Sequence, residues 1–353
     1  MKIPINPIQK TLPLALSLIL CTTTVRYADL FYDHEIYYDK NSTPIVTPSF
    51  NGFAGLIQGT QVTVNSTPEN LQQIAGYISN DTFEGNLTGR NSVVLKSGSA
   101  SSIYGAYIIA TDGHINSDNN SVTITDNHDN KINQIYGSYG VTNSHSSLSF
   151  GNSVHIKNST IKNQNSDGLI VGSLTLSRQG QGETMGENNS VTIDDSTIVS
   201  NIYGAISVDG RTELDAFSWH SAGNNTIEIN NSNITGNLFG SYLYQESKKD
   251  YLSASLRGNE NRITLNNSTL SGDIYGGYVQ SFVVPEAIQV HLESHHNTVI
   301  ISGDTKVSQG GKLTSIYGGY LDYQGPNQIE GNIYDYDAFT QNHFIYQSGL
   351  ANI

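Results

Sequence analysis

Six aromatic residues occupy one repeated position of the chain, and their rings could bind a sugar or a partner surface by stacking. These residues are Tyr104, Tyr136, Tyr203, Phe239, Tyr275 and Tyr317. If the preceding residue, Ile103 in the first copy, points into a core, the alternation of a strand turns Tyr104 outward. The alternative is that the rings stack only on one another and stabilise a sheet, by roughly 0.2–1 kcal/mol per pair. We favour stabilisation and keep the six rings as candidate binding residues.

A pair of adjacent carboxylates, Asp194 and Asp195, is a second candidate, because two such groups can act as acid and base in glycoside hydrolysis. Adjacent residues of a regular strand point to opposite faces, so the two groups cannot flank one glycosidic bond. Asp195 also takes the position that Asn158, Asn231 and Asn267 occupy in related copies of the repeat. We therefore expect Asp195 to form a corner, and we predict that the chain is not an enzyme and has no catalytic residue.

Four aspartates that lie close together in the sequence raise the question of a calcium site. Loop carboxylates are ligands of Ca²⁺, and the four residues are Asp112, Asp118, Asp126 and Asp129. No acidic residue recurs at the repeat spacing, and Asp is common in turns, so we expect solvated turns instead. The lone cysteine, Cys21, excludes a thiolate metal cluster. The sequence therefore predicts no metal site and no cofactor.

The elements that must position these side chains are short repeated phrases. A phrase of the type Asn-Ser-Val-x-Ile begins at Asn91, Asn120, Asn152, Asn189, Asn225, Asn261 and Asn297. The last four starts are each 36 residues apart, a periodicity typical of a solenoid. A second phrase, Ile-Tyr-Gly-x-Tyr, follows at a nearly fixed distance and carries the aromatic residues, with an eroded copy at Ile74-Ala-Gly-Tyr77. Each repeat is therefore predicted to be several short strands joined by turns.

The residue types of the phrases favour strands, because Val, Ile, Thr and Tyr suit a pleated surface whereas Asn, Asp, Ser and Gly suit corners. In the second copy Val122 and Ile124 share one face, and in successive parallel strands their equivalents would form two internal stacks. The repeated Asn residues would form hydrogen-bonded ladders between turns. We predict an all-β protein, a parallel β-helix of about seven irregular coils; a propeller is the structural alternative, although its hairpin turns are not seen consistently.

Composition and the N-terminal segment limit the partners and the location. The chain has 17 Lys and Arg against 31 Asp and Glu, for a net charge of −14, so nucleic acid is an unexpected partner. A short apolar run that ends near Cys21 follows Lys2 and Lys10. This arrangement is typical of a secretory signal peptide, predicted over residues 1–28. No other apolar stretch is long enough to cross a membrane as a helix. The mature chain is predicted to be exported without a transmembrane segment.

The tandem phrases resemble the passenger region of bacterial autotransporters, the type V secreted proteins. The resemblance covers residues 91–325 and extends weakly to Gly331-Asn-Ile-Tyr-Asp-Tyr-Asp-Ala-Phe339, which is similar to the segment after the last repeat of such passengers. It implies a right-handed parallel β-helix that is displayed at the cell surface, associated with the outer membrane or released. It also implies roles in adhesion, aggregation or virulence-related host interaction, with a host-cell or glycan ligand.

The sequence as a whole predicts a signal peptide over 1–28, an N-terminal capping region over 29–90, β-solenoid repeats over 91–325, and a C-terminal linker or truncated junction over 326–353. A translocator barrel needs many strands of roughly ten residues, and none follows Ile353. We expect that a separate protein supplies the barrel or that it has been lost. The alternatives to an adhesin are a polysaccharide-degrading β-helix enzyme and a truncated, nonfunctional passenger fragment.

Overall fold

The computed structural model describes a set of residue ranges to which every structural statement below refers. They are 29–31, 36–38, 56–58, 61–64, 73–81, 86–110, 113–128, 132–143, 145–162, 168–178, 182–209, 217–247, 253–283, 289–308, 314–324 and 343–348. The predicted signal peptide over 1–28 lies outside these ranges, as does the segment 331–339.

Every regular secondary-structure element in the described ranges is a β-strand. The first half of the strands are β1 (Asp29–Phe31), β2 (Ile36–Tyr38), β3 (Leu56–Gln58), β4 (Gln61–Val64), β5 (Gln73–Asp81), β6 (Asn86–Gly89), β7 (Ser92–Leu95), β8 (Ala100–Ala110), β9 (Ile115–Asp118), β10 (Ser121–Thr125), β11 (Ile132–Thr142), β12 (Ser147–Phe150), β13 (Ser153–Lys157), β14 (Thr160–Lys162), β15 (Leu169–Ser177) and β16 (Thr184–Glu187).

The second half are β17 (Ser190–Asp194), β18 (Thr197–Val199), β19 (Asn201–Asp209), β20 (Phe217–Ser221), β21 (Thr226–Asn230), β22 (Asn233–Thr235), β23 (Leu238–Ser247), β24 (Ser253–Arg257), β25 (Arg262–Asn266), β26 (Thr269–Ser271), β27 (Ile274–Val283), β28 (Gln289–Glu293), β29 (Thr298–Gly303), β30 (Lys306–Val307), β31 (Ile316–Gln324) and β32 (His343–Ser348).

These strands form four sheets in which each strand pairs in parallel with its equivalent one turn away. Sheet A has the order β1-β5-β8-β11-β15-β19-β23-β27-β31, and sheet B has the order β2-β4-β7-β10-β13-β17-β21-β25-β29-β32. Sheet C contains β3-β6-β9-β12-β16-β20-β24-β28, and sheet D contains β14-β18-β22-β26-β30. Along the chain, a strand of sheet A is followed by strands of sheets C and B, and in five turns a strand of sheet D comes next. The predicted parallel β-solenoid is confirmed, and the antiparallel propeller is excluded.

The register of sheet B confirms the two predicted internal stacks. Val122 pairs with Val93 and Val154, and Ile124 pairs with Leu95 and Ile156. Both stacks continue through Val191, Ile227, Ile263 and Val299, and through Ile193, Ile229, Leu265 and Ile301, every one of them buried. Full burial of such a side chain contributes roughly 1.5–3 kcal/mol, so the stacks are the main apolar support of the tube.

The predicted asparagine ladder runs along the corner that precedes sheet B. In each step the Oδ1 atom of one Asn accepts hydrogen bonds from both the backbone N–H and the side-chain Nδ2 of the Asn one turn earlier. For Asn225 and Asn261 the two donor–acceptor distances are both 3.1 Å. The ladder contains Asn91, Asn120, Asn152, Asn189, Asn225, Asn261 and Asn297, all at most 1 % exposed. The ladder therefore satisfies backbone groups that the corner removes from the sheets.

Strands also pair within the regions that flank the predicted repeats. β5 pairs with β8 so that Ile74 stands beside Ile103, which confirms Ile74-Ala-Gly-Tyr77 as a copy of the second phrase. β4 and β6 extend sheets B and C in the same way. At the other end, β32 pairs with β29. The assignment of 29–90 to a capping region and of 326–353 to a linker stays a prediction.

Candidate functional site

The six candidate aromatic residues lie on the outer side of sheet A. Ile103 belongs to the internal core, whereas Tyr104 belongs to a separate cluster that includes Tyr136 and Val171. The predicted outward direction of Tyr104 is therefore confirmed. The register of sheet A brings the same position of successive turns together, pairing Tyr104 with Tyr136, Tyr203 with Phe239, and Tyr275 with Tyr317.

A glycine in each sheet A strand from β5 to β31 sets the positions of the two tyrosine rows. A Cβ atom on Gly105 would lie 2.3 Å from the carbonyl oxygen of Gly137, so the strands approach too closely for a side chain. Ile103 and Ala106 both face inward, although they are three positions apart and strict alternation would place them on opposite faces. Simple alternation would place Tyr104 and Tyr107 on opposite faces, but the extra residue at the glycine puts both rings outside, with centroids 4.9 Å apart.

The rings stack face to face along the solenoid axis in two blocks. Tyr104 and Tyr136 stack at 5.3 Å, and a longer block runs from Tyr203 through Phe239 and Tyr275 to Tyr317 with ring centroids 4.7–5.1 Å apart. Val171 stands between the blocks because the phrase is degenerate in that turn. The tyrosines of the second row, such as Tyr278, contact the first row edge to face. Phe239 and Tyr275 thus have a ring stacked on both faces, whereas a ring at the end of a block has a stacked ring on one face.

Burial limits what the aromatic row can bind. Tyr136 is 3 % exposed, Tyr104 is 5 % and Phe239 is 8 %, whereas Tyr317 at the last described turn is 37 % exposed. Burial raises the pKa of Tyr203 to about 12, with a further increase from nearby Tyr242. Burial also raises the pKa of Tyr136. This geometry favours the stabilising interpretation for the three buried rings, and ligand stacking at the half-buried Tyr203 and Tyr275 and at Tyr317 stays a prediction.

The adjacent carboxylates Asp194 and Asp195 serve separate structural purposes. Asp195 has a left-handed backbone with φ of 49°. The equivalent residues Asn158, Asn231 and Asn267 are also left-handed, with φ of 45–49°, so the predicted corner is confirmed. Asp194 lies at the end of a sheet B strand, where its Oδ2 is 2.9 Å from His155 Nε2 and its Oδ1 accepts a hydrogen bond from Asn230. Burial raises the pKa of Asp194, but its hydrogen bonds to Asn230 and His155 outweigh burial and lower the pKa overall.

Of the two described aspartates of the calcium candidate, Asp126 belongs to a corner, whereas Asp118 is the last residue of strand β9. Asp126 has a left-handed φ of 54°, and its Oδ1 accepts a hydrogen bond from Asn158 Nδ2. Asp118 accepts a hydrogen bond from the backbone N–H of Phe150, one turn later. Asp112 and Asp129 lie outside the described ranges. Among described residues, three or more histidine, cysteine or acidic side chains nowhere form a group suited to a metal ion.

A buried polar row inside the tube was missed by the sequence interpretation. Asp209 Oδ2 lies 3.0 Å from His220 Nε2, and both side chains are at most 1 % exposed. His220 Nδ1 lies 2.6 Å from Thr184 Oγ1, which in turn contacts Ser207 Oγ. Carboxylate, imidazole and hydroxyl follow one another as in a hydrolase triad, but these groups lie inside the tube, where a substrate has no access. The inward alternation of Ala205, Ser207 and Asp209 was the available signal.

Comparison with known proteins gives no match: no family model, no curated protein and no solved structure is similar to the chain. None of the described residues forms a helix with the length and apolar composition needed to span a bilayer. Functional inference therefore rests on the repeats and on the geometry of the described side chains.

Proposed function

We propose that this chain is an exported bacterial surface protein, similar to an autotransporter passenger, that mediates adhesion or another surface interaction without catalysis. In this proposal the solenoid is right-handed and has about seven irregular coils, and residues 29–90 cap its N-terminal end. The tandem phrases support the proposal because they resemble those of passenger regions. The ligand would be a host-cell or glycan surface rather than nucleic acid, in keeping with the net charge of −14.

One observation carries the proposal: the outward side chains of each sheet repeat in register from turn to turn. Tyr203, Phe239, Tyr275 and Tyr317 form one such row, and the outer faces of sheets B and C form others. Equivalent residues are therefore spaced about 4.8 Å apart along a rigid axis. A long surface of this kind suits many weak contacts to an extended or repetitive partner, which together give strong attachment.

The test has two parts, location and attachment. The full chain is expressed in a Gram-negative host, and the protein is followed in the cytoplasmic, periplasmic, outer-membrane and medium fractions. Purified folded chain, coated on beads, is then applied to cultured epithelial cells with and without enzymatic removal of surface glycans. We expect export and cell attachment. Retention of the protein in the cytoplasm, or coated beads that attach no better than albumin-coated beads, would contradict the proposal.

A polysaccharide-degrading enzyme is the second candidate, and the partly exposed pair of His155 and Asp194 is the observation that favours it. The matched variants are Asp194→Asn and Asp195→Asn, because only Asp194 presents its carboxylate beside an imidazole. Release of reducing sugars from a polysaccharide, lost in Asp194→Asn and kept in Asp195→Asn, would establish this function in place of a purely adhesive one.

A further inference from the structure

The outer face of sheet C carries an aromatic and polar cluster that the sequence interpretation did not single out. β20, β24 and β28 pair in register, so Trp219, Ser255 and His291 form one row and Ser221, Arg257 and Glu293 form the next. The residues between the rows, His220 and Leu256, are buried in the interior. Alternation therefore places both rows outside. We call this group the sheet C cluster.

A single carboxylate organises the cluster. Glu293 accepts a hydrogen bond from Asn259 Nδ2 at 2.9 Å, contacts His291 Nε2, and lies 3.4 Å from Arg257 Nε and 3.5 Å from His295 Nε2. Burial raises the pKa of Glu293, but the hydrogen bonds from His291 and Asn259 and the charge of Arg257 outweigh it, so the pKa is lowered. The charges of Arg257 and Glu293 cancel, and their side chains are held in place.

The Arg257 guanidinium lies over the face of the Trp219 ring, and the outer side of this stacked pair is a flat surface. The guanidinium carbon of Arg257 lies 4.3 Å from the centre of the Trp219 ring system, in a cation–π contact. The Arg257 side chain is 36 % exposed, so one side of the guanidinium remains open to a ligand. Such a surface combines an apolar ring with a plane of N–H donors.

Ser255 gives the cluster an unused hydrogen-bonding group. Although it lies on the outer face, Ser255 is only 4 % exposed, because it stands between Trp219 and His291 in the register. Its Oγ atom is buried and has no hydrogen-bond partner among the described residues. A buried hydroxyl without a partner is unfavourable, so its presence here calls for a partner that the described chain does not supply.

We propose that the sheet C cluster binds a neutral saccharide, with the sugar ring against Trp219 and Arg257 and a sugar hydroxyl bonded to Ser255. A sugar has an apolar face for the flat surface and hydroxyls that both donate and accept hydrogen bonds, as Ser255 does. A neutral ligand fits because Arg257 is already balanced by Glu293 and the chain as a whole carries a charge of −14, which disfavours anions. This inference rests on the proposed surface-binding function and names its site and ligand class.

Trp219 is the only tryptophan of the chain, so its fluorescence reports directly on the proposed site. The full chain is titrated with neutral oligosaccharides of glucose, mannose, galactose and xylose, and with carboxylated oligogalacturonate. We expect a saturable change in fluorescence with at least one neutral series. If no neutral series changes it, or if only oligogalacturonate does, the proposal is overturned.

Two variants separate binding from folding. Ser255→Ala removes an unpartnered buried hydroxyl, so thermal stability should stay the same or increase while saccharide affinity falls roughly tenfold. Trp219→Ala, followed by calorimetry, should weaken binding roughly a hundredfold. Thr264→Ala, on the outer face of sheet B, is the matched control and should leave affinity unchanged. Affinity that is unchanged in both Ser255→Ala and Trp219→Ala would refute the assignment.

The outcomes also separate this inference from the proposed function. If the chain is exported and attaches to cells, but Trp219→Ala attaches equally well and no saccharide binds, only the sheet C assignment fails. If the variants lower saccharide affinity as expected but the chain is never exported, the proposed surface function is wrong and the assigned binding site stands.

Discussion

Two sides of the tube's interior differ in how strictly the turns repeat. Beneath sheet B, every turn from Asn91 to Asn297 contributes the same kinds of residue, Val, Ile or Leu in two stacks beside a buried Asn ladder. Near the connection from sheet A to sheet C, one inward column instead reads Thr142, Ser177, Asp209, Gln245 and Ser281 along the axis. The regular side sets the register of the strands. The variable side tolerates polar groups wherever a neighbouring turn satisfies them, which is how His220 and Asp209 are accommodated.

The largest expected effect comes from breaking the polar pair on the variable side. Asp209→Ala leaves His220 Nε2 buried without its carboxylate, and removing one partner of a buried pair costs about 3–5 kcal/mol. Urea denaturation followed by circular dichroism measures the loss. Asp209→Leu combined with His220→Leu should recover most of it, because Leu243 and Leu256 already occupy the interior nearby. A single variant with unchanged denaturation would show that the pair is not needed for the fold.

A smaller effect is expected on the regular side when one step of the Asn ladder is removed. Asn225→Ala removes the acceptor for the N–H and Nδ2 of Asn189, which are both buried, at a cost of about 1–3 kcal/mol. The effect should spread to neighbouring turns, because each turn is stable only against the next. Hydrogen exchange of the backbone amides in β17 and β21 measures that spread. Asn230→Ala, at the outer end of β21, is the control and should change exchange little.

Titration to alkaline pH measures how much the outer aromatic rows contribute to stability, for comparison with the interior. Unfolded tyrosine ionises near pH ~10, whereas burial raises the pKa of Tyr203 to about 12. The folded state thus binds the Tyr203 proton more tightly than the unfolded state does. The stability that this difference contributes is fully present below pH ~10 and is lost as the pH rises through the folded-state pKa. Tyrosinate absorbance should appear together with unfolding. Tyr203→Phe, which repeats the residue type of Phe239 in the next turn, should shift the onset to higher pH; ionisation well below unfolding would contradict this.

The smallest expected effect is a gain in stability at a strained corner of the regular side. Glu260 has a left-handed φ of 60° at a position that Asn119, Asn188 and Asn224 occupy in other turns. Glu260→Asn should raise stability by roughly 0.5–1 kcal/mol, because Asn tolerates this backbone better. Thermal unfolding measures the change, with Glu228→Asn on an outer strand face as the control. A loss of stability in Glu260→Asn would show that the Glu260 side chain contributes more than its backbone strain costs.

The sequence by itself determined the regular side of this protein. Val122 and Ile124 recur with Asn120 at a nearly fixed spacing, and period-two alternation converts that spacing into parallel strands, inward stacks and a corner ladder. The left-handed corner at Asp195 was also readable, because Asn occupies the same position in related copies. Local alternation and a repeated length suffice for these features.

Only the tertiary structure decided which side chains meet on the variable side and on the outer faces. The extra residue at Gly105 puts Tyr104 and Tyr107 on one face, which strict alternation does not predict. Asp209 and His220 meet across the connection from sheet A to sheet C, and Ser255 is enclosed by strands 36 residues before and after it. The 36-residue spacing already aligns Ser255 with the strands before and after it, but the packing of the side chains, and not the spacing, decides that Ser255 is buried and that Asp209 meets His220.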